Sequence, residues 1–365
     1  MDLRYPASAE AFRSELRDWL EANLPEGLTE SSPLEARREW NRRLADAGYA
    51  ALSWPVEYGG RAASVLDQLV FNEEMDRARA PGPVNIIGMP NIAPAIMQWG
   101  TEEQKTRFLP RMLRGDDIWC QGMSEPNAGS DLASLQCRAV LDGDSFVVNG
   151  QKTWNTLGDV AAWCQLYVRT DVDAPKHRGI SCLLVDMSLP GVDVRPMVTI
   201  TGEHGFSELF FTDVRVPASA LLGPLNEGWK VATTTLSHER AGVAKLHLAL
   251  RRDVRELIEA AQARGRADEP VLRQRLARLY LEAEYLKLLA DRAISGQLHG
   301  RPTGPESSLV KLVWSDVSNH VAETWTEVTG DVDVRRLSVR QVSIAGGTTQ
   351  VNKNIVAQRV LGMPR

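Results

Sequence analysis

The chain has 365 residues, a net charge of −5 and 43% apolar residues, which gives ample material for two or three cooperating folded parts. Acids and bases are interspersed, so there is no basic face for a nucleic-acid backbone. No apolar run reaches the ~20 residues of a spanning helix, and MDLRYPASAEAF has neither the basic nor the apolar region of a secretion signal, so a cytoplasmic location is expected. From Ser8, read as an N-cap, the spacing of Phe12, Leu16, Trp19, Leu20 and Leu24 predicts a helix, and EARREWNRRLADAGYA repeats the pattern. Trp54 to Arg61 breaks it with Pro55 and a glycine pair, and Val65 to Arg79 resumes it. NIIGMPNIAPAIMQWG, Asn85 to Gly100, is apolar almost all round and reads as a buried helix pair; an amphipathic helix capped by Thr101 follows.

From about Asp117 to Gly223 the pattern turns β-rich. WCQGM, the alternation Ala139 to Val148, AAWCQLYVRT, GISCLLVDM and SELFFTDVRV are strand-length runs bounded by turn residues. After VPASALLG, helical spacing returns from Gly228, and helices continue through Leu272 to Leu298 and Ser307 to Val328. Cys120, Cys137, Cys164 and Cys182 form no CxxC and lie in or beside apolar runs, so they read as reduced core residues. The six histidines form no HxxxH or HExxH pair, so no metal is expected.

The stretch Trp119 to Gly158 carries the chemistry. Gly129 and Ser130 lack bulk, so their backbone can approach a ligand closely, and the hydroxyls of Ser124 and Ser130 can face an anion or a heteroaromatic edge. Taken alone, Pro-Asn-Ala-Gly-Ser-Asp is an ordinary surface turn. Beyond it, Lys152, Trp154 and Thr156 stand at period-two spacing, which would project Trp154 and Thr156 from one face as an aromatic wall and a hydroxyl donor. SEPNAGSD followed by GQKTWNT resembles the paired flavin loops of the acyl-CoA dehydrogenase family, and the resemblance spans nearly the whole chain.

That resemblance implies an α+β fold with a helical N-terminal domain (1–116), a β-barrel-like middle domain (117–225) and a C-terminal four-helix bundle (226–365). It implies FAD as cofactor, with Met123 and Ser124 at the pyrimidine edge, Gly129 in the cofactor loop, Ser130 on the pyrophosphate side, Trp154 and Thr156 at the ring and N5, and Thr348 and Gln350 from the last loop. Contacts from a neighbouring subunit usually come from an Arg-Phe-Gly type segment and a glycine-rich stretch. Here the first reads QARGRADEPVLRQ, leaving Arg273 and Gln274 as candidates, and the second shortens to Thr329–Val339. The helices of Asn85 to Gly100 would be both core and a wall of the acyl pocket.

In this family a carboxylate takes the α-proton of the thioester while the β-hydrogen leaves as hydride, and the thioester oxygen is hydrogen-bonded as enolate-like charge develops. The base commonly precedes Gly-Thr in the C-terminal loop, but Ile344 to Gly362 places Gly346 there, which offers only its N–H. Some members carry the base in a Glu-Arg pair on a C-terminal-domain helix. LSHERAGVA has that pair as Glu239 and Arg240, with Gly242 leaving space beside it. A lone helix-face glutamate is ordinarily a solvated charge, and Arg240 could be a salt-bridged structural residue rather than a support for cofactor and acyl-CoA.

The expected activity is FAD-dependent α,β-dehydrogenation of an acyl-CoA to the trans-2-enoyl-CoA, with electrons passing to an electron-transferring flavoprotein. Ser130, Arg240 and Gly346 are the substrate-side candidates. The expected assembly is a homodimer or tetramer, or a heterotetramer with a paralogous subunit. Two alternatives stay open: a non-catalytic or half-site partner subunit of a heteromeric dehydrogenase, and a relative acting on an acyl-carrier protein or with oxygen as acceptor.

Overall fold

The computed structural model describes residues 5–241, 245–299, 304–305, 307–332 and 334–364, without the side chains of 237–241 and 335. The chain divides into two compact units, one formed by Asp18–Ala63 with Arg79–His238, the other by Met1–Arg17, Ser64–Ala78 and Glu239–Arg365.

In the first unit, α2 (Leu34–Asp46) buries Trp40 and Leu44. Trp19, in the C-terminal half of α1 (Ala7–Asn23), meets Trp40 with ring centroids 5.4 Å apart. α1 begins before Ser8, which therefore stands inside the helix and is not its cap. Asn85 to Gly100 is not a helix pair: a π-helical turn over Gly88–Ile92 runs straight into α4 (Ala93–Trp99). Pro94 within the first turn of α4 has no N–H to lose there, so the two pieces join without a break. α5 (Glu102–Arg114) starts on a capping box, with the Thr101 hydroxyl accepting from the Gln104 amide at 3.2 Å and the Gln104 side chain accepting from the Thr101 amide at 3.1 Å.

The strands are β1 (Trp119–Gly122), β2 (Arg138–Asp142), β3 (Ser145–Thr156), β4 (Trp163–Arg169), β5 (Ile180–Asp186), β6 (Val192–Met197), β7 (Phe206–Pro217) and β8 (Leu221–Leu222). They form one eight-stranded sheet in the order β6-β7-β3-β2-β4-β5-β8, with β1 parallel to β4. β2 and β3 form a hairpin closed by Gly143 and Asp144, where Gly143 takes the positive φ that tight hairpins need. Val148, Leu166, Leu183, Leu209 and Val214, from both halves of the sheet, share one buried core, so the sheet curls around its own apolar face. All four cysteines are free and buried, and Cys120 sits opposite Cys164 across β1 and β4. The first part of α6 (Gly228–Ala241) rests on this unit, with Thr235 buried against Gln165 and Tyr167 of β4.

In the second unit, α7 (Leu246–Ala263), α8 (Pro270–Leu298) and α9 (Ser307–Thr329) share a core that includes Leu250, Leu257, Leu272, Leu279, Leu286 and Val317. α10 (Val334–Ser338) and α11 (Thr349–Ile355) pack on α9, where buried Lys311 reaches the carbonyl of Val342. α3 (Val65–Arg77) is capped by Ser64 and ties into the same unit through Asp76, which pairs with Arg252.

Candidate active site

The loop from Met123 to Cys137 leaves β1 and returns to β2, and ionised side chains close its base. Glu125, buried in the loop, accepts the amides of Gln136 (2.7 Å) and Cys137 (2.8 Å) at the far end. The ammonium of Lys152, from β3, donates to Glu125 at 2.8 Å and to the Met123 carbonyl at 3.0 Å. Ser124 joins β3 directly, its carbonyl accepting the Thr153 amide at 2.9 Å. Arg169, at the end of β4, donates to the carbonyls of Ala133 (2.6 Å), Arg178 (2.9 Å) and Lys176 (3.1 Å), and burial pulls it below its ordinary pKa. Glu125 and Arg169 were not singled out in the sequence. Their only signal is an ionisable residue inside a run otherwise built of small, turn-forming or apolar residues.

Above that base Gly129 and Ser130 are exposed, while Met123 and Ser124 are half-buried. The side chain of Asp131 is held by Lys176 at 2.8 Å and by the Ser134 hydroxyl, which lower its pKa. The period-two expectation fails at Lys152. Its side chain is fully buried, whereas Trp154 is 59% exposed, because the pairing of β3 with β7 slips between Lys152 and Asn155 and Trp154 takes φ +61°. Trp154 and Thr156 do both avoid the interior, with the Trp154 ring edge-to-face on Phe206 at 5.7 Å. Between them Asn155 is buried and donates to the Ser207 carbonyl at 2.9 Å.

The remaining candidates belong to the second unit. Gly346 and Gly347 both have positive φ (+65° and +88°), and Gly346 is exposed. Thr348 caps α11, its hydroxyl accepting the Val351 amide at 3.2 Å, and Asn352 ties back to the carbonyl of Gly347 at 2.8 Å. Gln350 is exposed on α11, and Arg273 and Gln274 are exposed in the first turn of α8. The backbone of Glu239 and Arg240 closes α6, but their side chains lie outside the described residues, as does Gly242 altogether.

Three acyl-CoA dehydrogenase domain profiles match in chain order: the N-terminal domain over residues 6–116, the middle domain over 120–214 and the C-terminal domain over 226–361. The chain belongs to the acyl-CoA dehydrogenase family. Acyl-CoA dehydrogenase IpdE1 of Mycobacterium tuberculosis is 38% identical to it over 380 residues, covering 98% of each chain. Among solved structures, the Tcur3481-Tcur3483 steroid ACAD is similar at 33% identity and TM-score 0.87 over the whole of both chains. The ChsE4-ChsE5 complex from Mycobacterium tuberculosis is similar at 34% identity and TM-score 0.82, again over both whole chains. The protein is thus an FAD-dependent acyl-CoA dehydrogenase, a flavoprotein oxidoreductase of lipid metabolism with the α+β fold of that family. No helix among the described residues is long and apolar enough to cross a membrane.

The donor set in the first unit fits a flavin. Among the described residues, the hydroxyls of Ser124, Ser130 and Thr156 have no hydrogen-bond partner within the chain, and the large indole of Trp154, two residues before Thr156 on β3, stands exposed on a left-handed backbone. Free hydroxyls and an uncovered aromatic face on one loop-and-strand pair suit a ligand with both a polar edge and a ring.

Proposed function

We propose that this dehydrogenase desaturates the Cα–Cβ bond of an acyl-CoA whose acyl group is steroid-like or similarly polycyclic, giving the trans-2-enoyl-CoA. The observation that carries the substrate class is the likeness to a steroid ACAD over the full length of the chain. Domains of 1–116, 117–225 and 226–365 divide the work, the last supplying the base. Met123, Ser124, Gly129, Ser130, Trp154 and Thr156 would hold FAD; the family resemblance adds Thr348 and Gln350 from the last loop, and gives Arg273 and Gln274 as candidates for contacts with a neighbouring subunit's flavin. When bound, the flavin supplies the acceptor for the β-hydrogen and its electron pair.

The protein's own part is proton transfer and charge stabilisation. Glu239 takes the α-proton, and the electrons of that C–H bond become the new double bond. The Gly346 N–H donates to the thioester oxygen, where charge accumulates as the proton leaves. Arg240 and Ser130 support the acyl-CoA. Electrons then pass to an electron-transferring flavoprotein, and the enzyme works in the cytoplasm.

Gly346 in place of the usual loop carboxylate, with similar proteins that are themselves heteromeric complexes, supports a second reading, in which this chain is the half-site partner of a paralogous subunit. Purification of the chain alone separates the two. A yellow flavin spectrum that bleaches anaerobically with a steroid side-chain acyl-CoA supports the first reading, and a colourless chain that gains flavin only with a paralogous subunit supports the second. Bleaching with short straight-chain thioesters alone would overturn the substrate class.

A further inference from the structure

We infer that Glu125, Lys152 and Arg169 are positioning residues for FAD, which preset the Met123–Cys137 loop before the cofactor arrives. The inference rests on assigning that loop to FAD. Each of the three ties down a different part of the loop: Lys152 the entry at Met123, Glu125 the exit at Gln136 and Cys137, and Arg169 the middle at Ala133. Lys152 and Glu125 also bond to each other, so entry and exit are held through one ion pair that is sealed from water. The exposed residues between them, Pro126, Asn127, Gly129 and Ser130, have no apolar core to fix their shape.

The sheet beneath does not need this pair. Its core is continuous and apolar, built from Val148, Leu166, Leu183, Leu209, Val214 and their neighbours. Loss of the pair should therefore loosen the loop while the sheet stays folded. Removing one partner leaves a buried charge without its counterpart, which is costly, whereas removing both leaves neither charge behind.

The test compares wild type, Lys152→Met, Arg169→Lys and the Glu125→Gln, Lys152→Met double variant as full-length apoprotein, by amide exchange, thermal melting and FAD titration. In Lys152→Met, amides 127–137 should exchange on the order of tenfold faster, β4 and β5 should stay protected, and FAD should bind on the order of tenfold more weakly. The double variant should regain much of the melting temperature yet keep the fast loop and the weak FAD binding. Recovery of FAD affinity in step with melting temperature would show a purely structural pair, and unchanged loop exchange in Lys152→Met would overturn the inference outright. Should Lys152→Met not fold, Arg169→Lys decides, since it keeps the charge but loses the guanidinium fork: a protected loop there overturns the inference and a fast loop supports it. If FAD fails to protect amides 123–131 in wild type, the assignment of the loop to FAD falls, while exchange in the apoproteins still tests the presetting.

Discussion

Lys152 and Trp154 stand two residues apart on one strand and face opposite ways: the ammonium is sealed inside with Glu125, and the indole is 59% exposed. A regular strand would put them on the same face. The slip in pairing with β7 and the left-handed backbone of Trp154 undo that parity, and a bulky residue holds such a conformation only where the surroundings over-determine it.

The Trp154 side chain should therefore matter to the ligand more than to the fold. Trp154→Ala is expected to leave unfolding free energy within about 1 kcal/mol of wild type, since most of the indole is exposed. FAD binding should weaken by on the order of 1 kcal/mol, the scale of one aromatic contact. Thermal melts and FAD fluorescence titration check both, and a large loss of stability with unchanged FAD affinity would reverse the assignment.

Local chemistry was legible in the sequence where it is decided locally. The Thr101 cap and the turn residues from Pro126 to Asp131 act through neighbours a few positions away, and spacing revealed them; Ala139 to Val148, read as a single alternating run, is instead split by the turn at Gly143 and Asp144 into β2 and β3. Lys152 was misplaced because a bulge depends on how β7 pairs, which no local pattern reports. Glu125 was missed because its partners are 11 to 27 residues away and meet it only once the sheet has formed. The strand β6 was missed as well, since Val192–Met197 has no fully buried residue, carries Pro196 and shows no apolar run. Around the proposed FAD contacts Trp154, Thr156 and the serines, the sequence did not point to the charged residues that hold their loop, Glu125 and Arg169.

A pH dependence follows from Glu74, whose buried carboxylate meets Arg13, Arg17 and Arg77. Burial pushes its pKa up, but hydrogen bonds from Arg17, Arg77 and Arg13 outweigh this and hold it at about 2, below the ordinary 4.5. A depressed carboxylate stabilises the fold above its unfolded pKa and loses that contribution as pH falls from 4.5 through 2. Glu74→Gln should be less stable than wild type at neutral pH, and the two should converge as acid is added. Parallel stability curves across that window would contradict this.

Gly346 bears on the C-terminal loop through its backbone. At φ +65° an L side chain is strained, so Gly346→Ala should cost roughly 1–2 kcal/mol of stability while keeping the N–H. Denaturant unfolding measures the cost, and flavin reduction by acyl-CoA in the same variant should persist. Wild-type stability would mean that the loop leaves the left-handed region, and abolished reduction in a folded variant would mean that the backbone N–H is not what this position contributes.

The central claim is that Glu239 removes the α-proton. Glu239→Gln keeps the shape without a site for the proton. Anaerobic stopped-flow of flavin absorbance, wild type beside Glu239→Gln, with a panel of acyl-CoA thioesters that includes a steroid side-chain thioester, tests this most directly. The expected result is a variant that binds FAD and acyl-CoA but reduces its flavin ~10²-fold or more slowly, the usual loss with a general base. Equal rates of bleaching in the two proteins would contradict it.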